Sequence, residues 1–483
     1  MKLYTVNHGY KYELENICRL YFPFEKIAVG DTEQPFDGTL TAVTEVNNGL
    51  RVRLMADGFD ESLCEPLDSD TSGDEVERRL AVMLYELLGR LTGMRHKWGI
   101  LTGVRPGKLM RRLCDSLGEA EARRWFSEGL LVSDEKIDLC CRASENEERI
   151  IAMSGREDFS LYISVPFCPS RCSYCSFVSH SVERAHGLVD DYLKLLLREI
   201  EQTGEIARKL GICLRTVYIG GGTPTVFSAE QLTAVMTAVR DNFDMSHCIE
   251  YTVEAGRPDT VTRDKLLAIK AGGATRISIN PQTMSDEVLV NIGRRHTAEQ
   301  TVQAFQLARE VGFDNINMDL IVGLPGDTLD GYKRTVEQIM QLDPESVTVH
   351  SLSMKRASNM TVGGELPEQE RGRLADSMIT HSSRVFEGRG YEPYYLYRQS
   401  KTVGNLENTG FCKAGKQCLY NIYIMDETHS ILACGASAVT KLRSPDGYIE
   451  RIFNFKYPYE YINRFDEITA RKQGIAEFYR KHF

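Results

Sequence analysis

From residue 161 onward, short β-branched strands alternate with amphipathic helices. This alternation predicts an α/β fold with a parallel sheet and right-handed crossovers. The units number six, which makes a partial (β/α)6 barrel rather than a closed eight-stranded one. Sites in such sheets lie at the carboxyl ends of the strands. The predicted strands are 161–165, 216–219, 250–254, 276–280, 315–321 and 346–350.

The chain has 483 residues, enough for two or three domains. We expect an α+β domain over residues 1–157, the barrel over 158–355, and a mixed domain that covers the substrate over 356–483. In the first of these, Asn47-Asn48-Gly49 separates two alternating runs and predicts a hairpin. Apolar residues at helical spacing predict a helix over 75–91. The C-terminal region is rich in tyrosine and in loops.

Three cysteines follow the first barrel strand directly, as Cys168-x-x-x-Cys172-x-x-Cys175. Three thiolates on one loop would hold three irons of a [4Fe–4S] cube and leave the fourth iron without a protein ligand. The amino and carboxylate groups of S-adenosylmethionine (SAM) would chelate that iron, so that an electron cleaves the sulfonium and releases a 5′-deoxyadenosyl radical. The alternatives are a zinc site or core thiols. Zinc would require a fourth Cys or His at C-x-x-C spacing, and packing explains three such close cysteines poorly.

Polar and small residues mark the ends of the following strands. Gly220-Gly221-Gly222 allows the backbone to approach a ligand closely. Glu254 ends the third strand inside an apolar run, where an unpaired carboxylate is costly to bury. We therefore expect a hydroxyl pair or an ammonium beside Glu254, for which the SAM ribose or amino group would serve, with a surface position as the alternative. Gln282, Arg294 and Asp319 also lie at strand ends or just beyond.

Composition narrows the cellular context. A net charge of −10 argues against general nucleic-acid binding. The chain begins without the pattern of a signal peptide, and no apolar run approaches the ~20 residues of a membrane span. Thirteen cysteines, an odd number, make a disulfide scaffold improbable in a chain of this size. These features predict a cytoplasmic protein.

Together these motifs resemble the radical-SAM oxygen-independent coproporphyrinogen III oxidase family, and in particular its HemZ-type branch, coproporphyrinogen dehydrogenase. The resemblance covers nearly the whole length. Its shared segments are 162–168, 220–225, 279–282, 292–296 and 319–325, with 98–106, 347–358 and 394–399 typical of the HemZ-type branch.

The resemblance implies roles residue by residue. The three cysteines would bind the cluster, Tyr162 would contact the cluster-bound SAM, and Tyr174 would lie against its adenine. Further SAM contacts would come from Gly221, Gly222, Thr223 and Glu254, and those of a second SAM from Gln282, Arg294, Asp319 and Ser353. The sequence departs from the oxidase branch at two places. Phe177 stands where that branch has a fourth cysteine, and Asn280-Pro281 stands where Gly-Val is usual.

The implied activity is oxidative decarboxylation of two propionates of coproporphyrinogen III to vinyl groups. The implied partners are the tetrapyrrole and a flavodoxin- or ferredoxin-type electron donor. Four cations, Arg398, Lys401, Lys413 and Lys416, are candidates to meet the substrate carboxylates. Two alternatives stay open: a haem-binding chaperone with the same barrel, and a radical enzyme that methylates or opens haem anaerobically.

Arg294 and Asp319 are predicted to line the pocket of the second SAM or of the substrate, and not to touch the cluster.

Three further cysteines, Cys412, Cys418 and Cys434, form a looser C-terminal group. They would hold a second cluster or a haem iron, but their spacing matches no common ligand pattern, so ordinary buried thiols are the default interpretation.

Overall fold

The computed structural model describes residues 1–175, 180–353 and 367–483. The chain divides into two compact units, one of residues 1–142, 367–373 and 397–407, and the other of residues 143–366, 374–396 and 408–483. The division into domains after residues 157 and 355 stays a prediction. Helices and strands are numbered below in chain order.

The first unit contains a five-stranded sheet with strand order β2-β1-β3-β4-β5. Its central pair is the predicted hairpin, in which β3 and β4 run antiparallel and Val46 faces Leu50. The strand β1 lies parallel to β3 and to β2. The strands are β1 (Lys2–Val6), β2 (Ala28–Gly30), β3 (Thr41–Val46), β4 (Gly49–Ala56) and β5 (Phe59–Pro66).

Two amphipathic helices cover one face of this sheet. The first is α1, whose Leu14 and Ile17 are buried, and the second is α2, the helix predicted over 75–91, which buries Leu80 and Leu84 against the strands. Ser72 caps α2 by accepting a hydrogen bond from the Glu75 N–H. The helices that precede the first barrel strand are α1 (Lys11–Tyr21), α2 (Gly73–Thr92), α3 (Pro106–Leu117), α4 (Glu119–Arg124) and α5 (Asp134–Ile151). The division between the two units falls within α5, after residue 142.

The second unit is built on an eleven-stranded sheet with strand order β14-β15-β13-β12-β11-β10-β9-β6-β16-β17-β18. Six neighbouring strands, β6 and β9 to β13, are parallel and follow chain order, which confirms the predicted partial barrel. The first half comprises β6 (Asp158–Val165), β7 (Phe167–Cys168), β8 (His180–Ser181), β9 (Cys213–Gly221), β10 (Glu250–Glu254), β11 (Arg276–Ser278) and β12 (Ile316–Val322). The second half comprises β13 (Ser346–Ser351), β14 (Glu392–Arg398), β15 (Glu407–Cys412), β16 (Ser430–Cys434), β17 (Val439–Arg443) and β18 (Ile449–Phe453).

Helices connect the parallel strands, and polar caps fix where several of them begin. Ser228 with Gln231 and Thr297 with Gln300 form capping boxes at the starts of α8 and α11. The first five helices are α6 (Val182–Ala185), α7 (Val189–Leu210), α8 (Ala229–Asn242), α9 (Arg263–Ala271) and α10 (Asp286–Asn291). The others are α11 (Ala298–Glu310), α12 (Leu329–Leu342), α13 (Glu368–Gly388), α14 (Leu419–Asp426), α15 (Pro458–Asn463) and α16 (Phe465–His482).

The sheet is wider than the sequence predicted, because C-terminal strands extend it on both sides. On one side β16 lies parallel to β6, with Ser430 opposite Phe159. On the other side β15 lies antiparallel to β13, with Cys412 opposite Ser346. These pairings join segments more than 60 residues apart in sequence, so no local pattern indicates them.

A buried ionic network fixes the C-terminal helix to the barrel. Glu199 in α7 is fully buried and forms an ion pair with the ammonium of Lys472 in α16 at 3.0 Å. Its carboxylate also accepts hydrogen bonds, each of 2.7 Å, from the Tyr461 hydroxyl, the Asn454 amide and the Gly435 backbone N–H. Every carboxylate oxygen is thereby satisfied, as a buried charge requires.

The described part of the chain contains neither a disulfide nor a helix that could span a membrane. All thirteen cysteines lie within it and are thiols, without a disulfide among them. None of its helices has the length and apolar character needed to cross a membrane.

Candidate functional site at the carboxyl edge of the parallel strands

The glycine loop, residues 220–223, begins within the end of β9 and is hydrogen-bonded to the end of β6 and the residues that follow it. The Gly222 N–H donates to the Val165 carbonyl, and the Thr223 N–H donates to the Phe167 carbonyl, each at 2.7 Å. A Cβ on Gly222 would lie 2.5 Å from the Phe167 oxygen, and Gly221 has φ +105°, so side chains are excluded at both positions. The predicted glycine loop therefore lies directly against the start of the cysteine motif.

The segment 168–175, here called the cysteine loop, carries all three predicted cluster ligands. The Thr223 hydroxyl donates to the Cys168 sulfur at 3.5 Å, and the Cys175 N–H donates to the Cys172 carbonyl at 3.2 Å. No three His, Cys, Asp or Glu side chains in the described residues converge tightly enough for a single metal ion. A four-iron cube is larger than one ion and spreads its thiolate ligands further apart. Phe177 lies outside the described residues.

Arg294 contacts the cysteine loop. Its Nε donates to the Tyr174 hydroxyl at 3.2 Å, and its Nη1 donates to the Asn280 carbonyl at 2.6 Å. Burial alone would lower the pKa of this arginine, but Tyr174 and the Cys172 thiol hold it above its usual value. Tyr174 lies between the second and third cysteines of the motif. The expectation that Arg294 stands clear of the cluster is therefore wrong.

A second arginine, which the sequence analysis missed, also reaches this loop. Arg257 is 3% exposed, and its Nη1 lies 3.7 Å from the Cys172 sulfur. Its Nε and Nη2 donate to the two carboxylate oxygens of Asp259, each at 3.1 Å. Its position three residues beyond Glu254, just past a strand end, is the signal that could have identified it.

A stack of tyrosines adjoins Glu254 on the inner face of the strands. The Tyr218 ring lies 6.3 Å from that of Tyr162 and 4.6 Å from that of Tyr420, centroid to centroid. The Tyr218 hydroxyl donates to Glu254 Oε1 at 2.6 Å. Burial, together with the nearby charge of Asp319, raises the pKa of Glu254 to about 7, against the lowering effect of the Tyr218 hydrogen bond. Glu254 is therefore half-protonated near neutral pH.

Asp319 is the second carboxylate of the site and stays ionised. Its Oδ1 accepts a hydrogen bond from the Asn317 amide at 2.7 Å and lies 3.8 Å from His350 Nε2. Burial would raise the pKa of Asp319, but these two neighbours hold it below its usual value. The Asp319 backbone carbonyl accepts a hydrogen bond from the Gln282 N–H at 2.9 Å. Gln282 therefore lies beside Asp319 in the candidate site.

The polar atoms of this edge suit a ligand rich in hydrogen-bond donors. Within the described residues, the buried side-chain oxygens of Asn280 and Gln282 have no hydrogen-bond partner. Unpaired buried acceptors are costly, and a bound ligand would satisfy them. The amino N–H groups and ribose hydroxyls of SAM supply such donors, and the carboxylates of Glu254 and Asp319 are two further acceptor groups. The residues present therefore fit SAM. Ser353 lies two residues beyond β13 and is half-buried.

One of the four cations predicted to meet substrate carboxylates is engaged elsewhere. Arg398 is 3% exposed, and its guanidinium donates to the backbone carbonyls of Leu101 and Asn405. It also lies 5.3 Å from the centroid of the Trp98 ring, and burial lowers its pKa to about 10. Arg398 is thus a packing residue of the first unit, and its predicted role is wrong. Lys401 is an exposed residue of that unit.

Two other cations lie at the opposite end of the parallel strands from the cysteine loop. The Lys413 N–H donates to the Glu345 carbonyl, next to the first residue of β13. Its ammonium pairs with Asp343 at 2.8 Å, and that of Lys416 lies 3.7 Å from Asp314. The prediction that these lysines meet the substrate is wrong, since sequence spacing does not reveal which end of the sheet a returning strand reaches.

The three C-terminal cysteines do not form a group. Cys412 lies opposite Ser346 at the beginning of β13, and the Cys418 sulfur lies 3.5 Å from a carboxylate oxygen of Glu250 at the beginning of β10. Cys434 instead ends β16, at the carboxyl edge of the sheet. Burial raises the pKa of Cys412 and of Cys434 to about 12. These thiols are separate, buried and protonated.

Comparisons with known proteins agree with this geometry. Residues 162–339 match the model of the Radical SAM superfamily. Coproporphyrinogen III oxidase (HemN) from Escherichia coli superposes with a TM-score of 0.52 at 21% identity, over 68% of this chain and 73% of that one. That similarity shows a shared fold.

Sequence relatives extend the similarity beyond the barrel. The oxygen-independent coproporphyrinogen-III oxidase-like protein HemZ of Bacillus subtilis is 35% identical over 96% of this chain and 95% of its own length. The heme chaperone HemW of the same organism is 32% identical over 66% of this chain and 82% of its own length. The predicted resemblance is confirmed, and the chain belongs to the radical SAM family of oxygen-independent coproporphyrinogen-III oxidase-like proteins.

Proposed function

We propose that this chain is an enzyme that converts two propionate side chains of coproporphyrinogen III into vinyl groups, giving protoporphyrinogen IX. The observation that carries the proposal is the set of acceptors at the carboxyl edge. Glu254 and Asp319 stand together with the unpartnered oxygens of Asn280 and Gln282. These are more acceptors than the amino group of one SAM requires, so they support a second ligand beside the first.

In this proposal the residues of the chain bind the cluster and SAM and orient them toward the tetrapyrrole. Cys168, Cys172 and Cys175 would hold a [4Fe–4S] cluster, which with bound SAM would supply the radical chemistry that takes a hydrogen atom from each propionate. Loss of carbon dioxide would then leave the vinyl group, with the remaining electron passing to an external one-electron acceptor. Glu254, oriented by the Tyr218 hydroxyl, accepts hydrogen bonds from SAM. The stack of Tyr218 on Tyr420 fills the inner face of the strands and excludes water there.

Further contacts in this proposal follow the resemblance. Tyr162, Gly221, Gly222 and Thr223 complete the first SAM site, and Tyr174 lies against the adenine. Asp319, Gln282, Arg294 and Ser353 serve the second SAM or the substrate. The electron that the cluster requires comes from a flavodoxin- or ferredoxin-type protein, because reduction of such clusters needs a donor of low potential.

A haem-binding chaperone is the second candidate function. The similarity to the heme chaperone HemW, at 32% identity over 82% of that protein, favours it. A chaperone would bind haem without turnover. The two candidates therefore differ in whether a tetrapyrrole is consumed.

Asp319 is a better residue than Arg294 for distinguishing the decarboxylating enzyme from the haem-binding chaperone. Arg294 contacts Tyr174, so its replacement would disturb the cysteine loop together with the pocket. Asp319→Asn keeps the side chain's size and removes its charge. Loss of a charged hydrogen bond costs about 1.5–3 kcal/mol, which lowers the conversion rate about tenfold or more. The control is Asp330→Asn, whose side chain is 80% exposed on α12.

The experiment is anaerobic incubation of reconstituted protein with reductant, SAM and coproporphyrinogen III, followed by mass analysis of the porphyrins. We expect loss of two carboxyl groups with wild type and Asp330→Asn, and at most a tenth of that rate with an intact cluster in Asp319→Asn. Stoichiometric haem binding without conversion by wild type would replace the proposal with the chaperone. Consumption of haem itself would indicate a haem-modifying enzyme.

A further inference from the structure

Arg257 is oriented so that one nitrogen faces a cluster ligand. Asp259 occupies its Nε and Nη2, each at 3.1 Å, which fixes the plane of the guanidinium. The remaining Nη1 lies 3.7 Å from the Cys172 sulfur and 3.4 Å from the Ser170 carbonyl. Arg257 and Cys172 are 3% and 8% exposed, so water screens this contact little.

A donor directed at a ligand sulfur changes the energy of reducing the cluster. Reduction adds negative charge, which the thiolate ligands share, and N–H donors and cations stabilise the more negative state. The effect is strongest where water is excluded. The fork to Asp259 neutralises much of the guanidinium charge but leaves the N–H directed at the sulfur.

We infer that Arg257, held by Asp259, raises the reduction potential of the cluster through the Cys172 sulfur. It is a positioning residue, since it touches a ligand of the cluster and not a reacting atom. The inference rests on the proposed cluster site, although not on the identity of the tetrapyrrole. The competing role for Arg257 is purely structural, because it also donates to the Ser170 carbonyl and hydroxyl.

A redox titration followed by electron paramagnetic resonance tests this inference. Reconstituted holoprotein is titrated without SAM or tetrapyrrole, so the outcome is independent of the proposed turnover. Arg257→Met should lower the equilibrium constant for one-electron reduction about tenfold, a shift of about 59 mV to more negative potential. The matched control is Arg309→Met, because Arg309 makes a similar fork to Glu345 at the amino end of β13. It should keep the wild-type potential.

Arg257→Gln is the second variant. It keeps a polar side chain that can bond to Asp259 and Ser170, and should shift the potential in the same direction. A wild-type potential in either variant at wild-type iron content would overturn the inference. Failure of both variants to take up iron, while Arg309→Met takes it up, would also overturn it, because Arg257 would then hold the loop and not set the potential.

Discussion

Because Glu254 is partly protonated before SAM binds, we predict that SAM binding releases protons from this carboxyl group. The pKa of Glu254 is about 7 before SAM binds, so at pH 7 about half of the molecules carry this proton. An N–H or hydroxyl donor of SAM bound to the carboxylate favours the ionised form and lowers that pKa. Glu254 should therefore contribute about half a released proton per chain at pH 7, most of one proton at pH 6, and almost none at pH 8.5, in addition to the proton that the SAM amino group loses when it chelates the iron.

The same reasoning gives the pH dependence of affinity. Because SAM binds the ionised carboxylate, affinity falls as pH falls below the pKa of Glu254. Glu254 is ionised in only about a tenth of the molecules at pH 6 and in about nine-tenths at pH 8, so the dissociation constant of wild type, taken relative to that of Glu254→Gln, should rise about tenfold between pH 8 and pH 6. Glu254→Gln should bind SAM weakly at every pH and release no proton from this site.

Tyr218→Phe tests the cause of the shift. The Tyr218 hydrogen bond lowers the pKa of Glu254, so its loss should raise that pKa. A hydrogen bond to a charged group is worth about 1.5–3 kcal/mol, or roughly one to two pH units. At pH 7 the variant should release more than half a proton and bind SAM about tenfold more weakly. The control is Tyr251→Phe, a buried tyrosine in β10 whose hydroxyl has no hydrogen-bond partner in the described residues.

Isothermal titration calorimetry of oxidised holoprotein, in buffers with different ionisation enthalpies, measures the protons released. Equal release by wild type and Glu254→Gln at pH 7 would refute the reasoning.

Three further predictions concern the remaining residues. Alanine at Cys412 and Cys418 together should leave the iron content unchanged, whereas alanine at any cysteine of the cysteine loop should abolish both the cluster absorption and reductive SAM cleavage. Lys472→Met leaves Glu199 buried without its cation and should cost about 3–5 kcal/mol, measured by denaturant unfolding with Lys481→Met, an exposed residue of the same helix, as control. Arg398→Ala should lower the melting temperature but leave the KM for the tetrapyrrole unchanged, since its guanidinium bonds to backbone carbonyls.

The barrel could be predicted because each strand carries a local signal. The third strand was predicted over 250–254 and β10 is Glu250–Glu254, an apolar β-branched run whose end is marked by a change to Gly and Pro. The place of β16 carries no comparable signal, since it depends on a parallel pairing with β6, in which Ser430 lies opposite Phe159, far away in the sequence. Local pattern predicts strands, whereas sheet order at the edges depends on long-range packing.

The candidate site divides in the same way. Glu254 and the glycine loop were found because they end strands, and the ends of parallel strands share one edge. The contacts of Arg257 and Arg294 with the cysteine loop depend on which loops meet in space. The position of Tyr420 against Tyr218 depends on the fold of the C-terminal segment. Arg398 was misassigned because a cation's charge does not reveal its partner.

The central claim is that the cysteine loop holds a cluster with one iron open to SAM. Mössbauer spectroscopy of anaerobically reconstituted protein, recorded before and after addition of SAM, tests it most directly. Three thiolates leave one of the four irons distinct, so SAM should change the signal of that iron and leave the other three unchanged. A spectrum that SAM leaves unaltered, or a full cluster in the variant with alanine at Cys168, Cys172 and Cys175, would contradict the account.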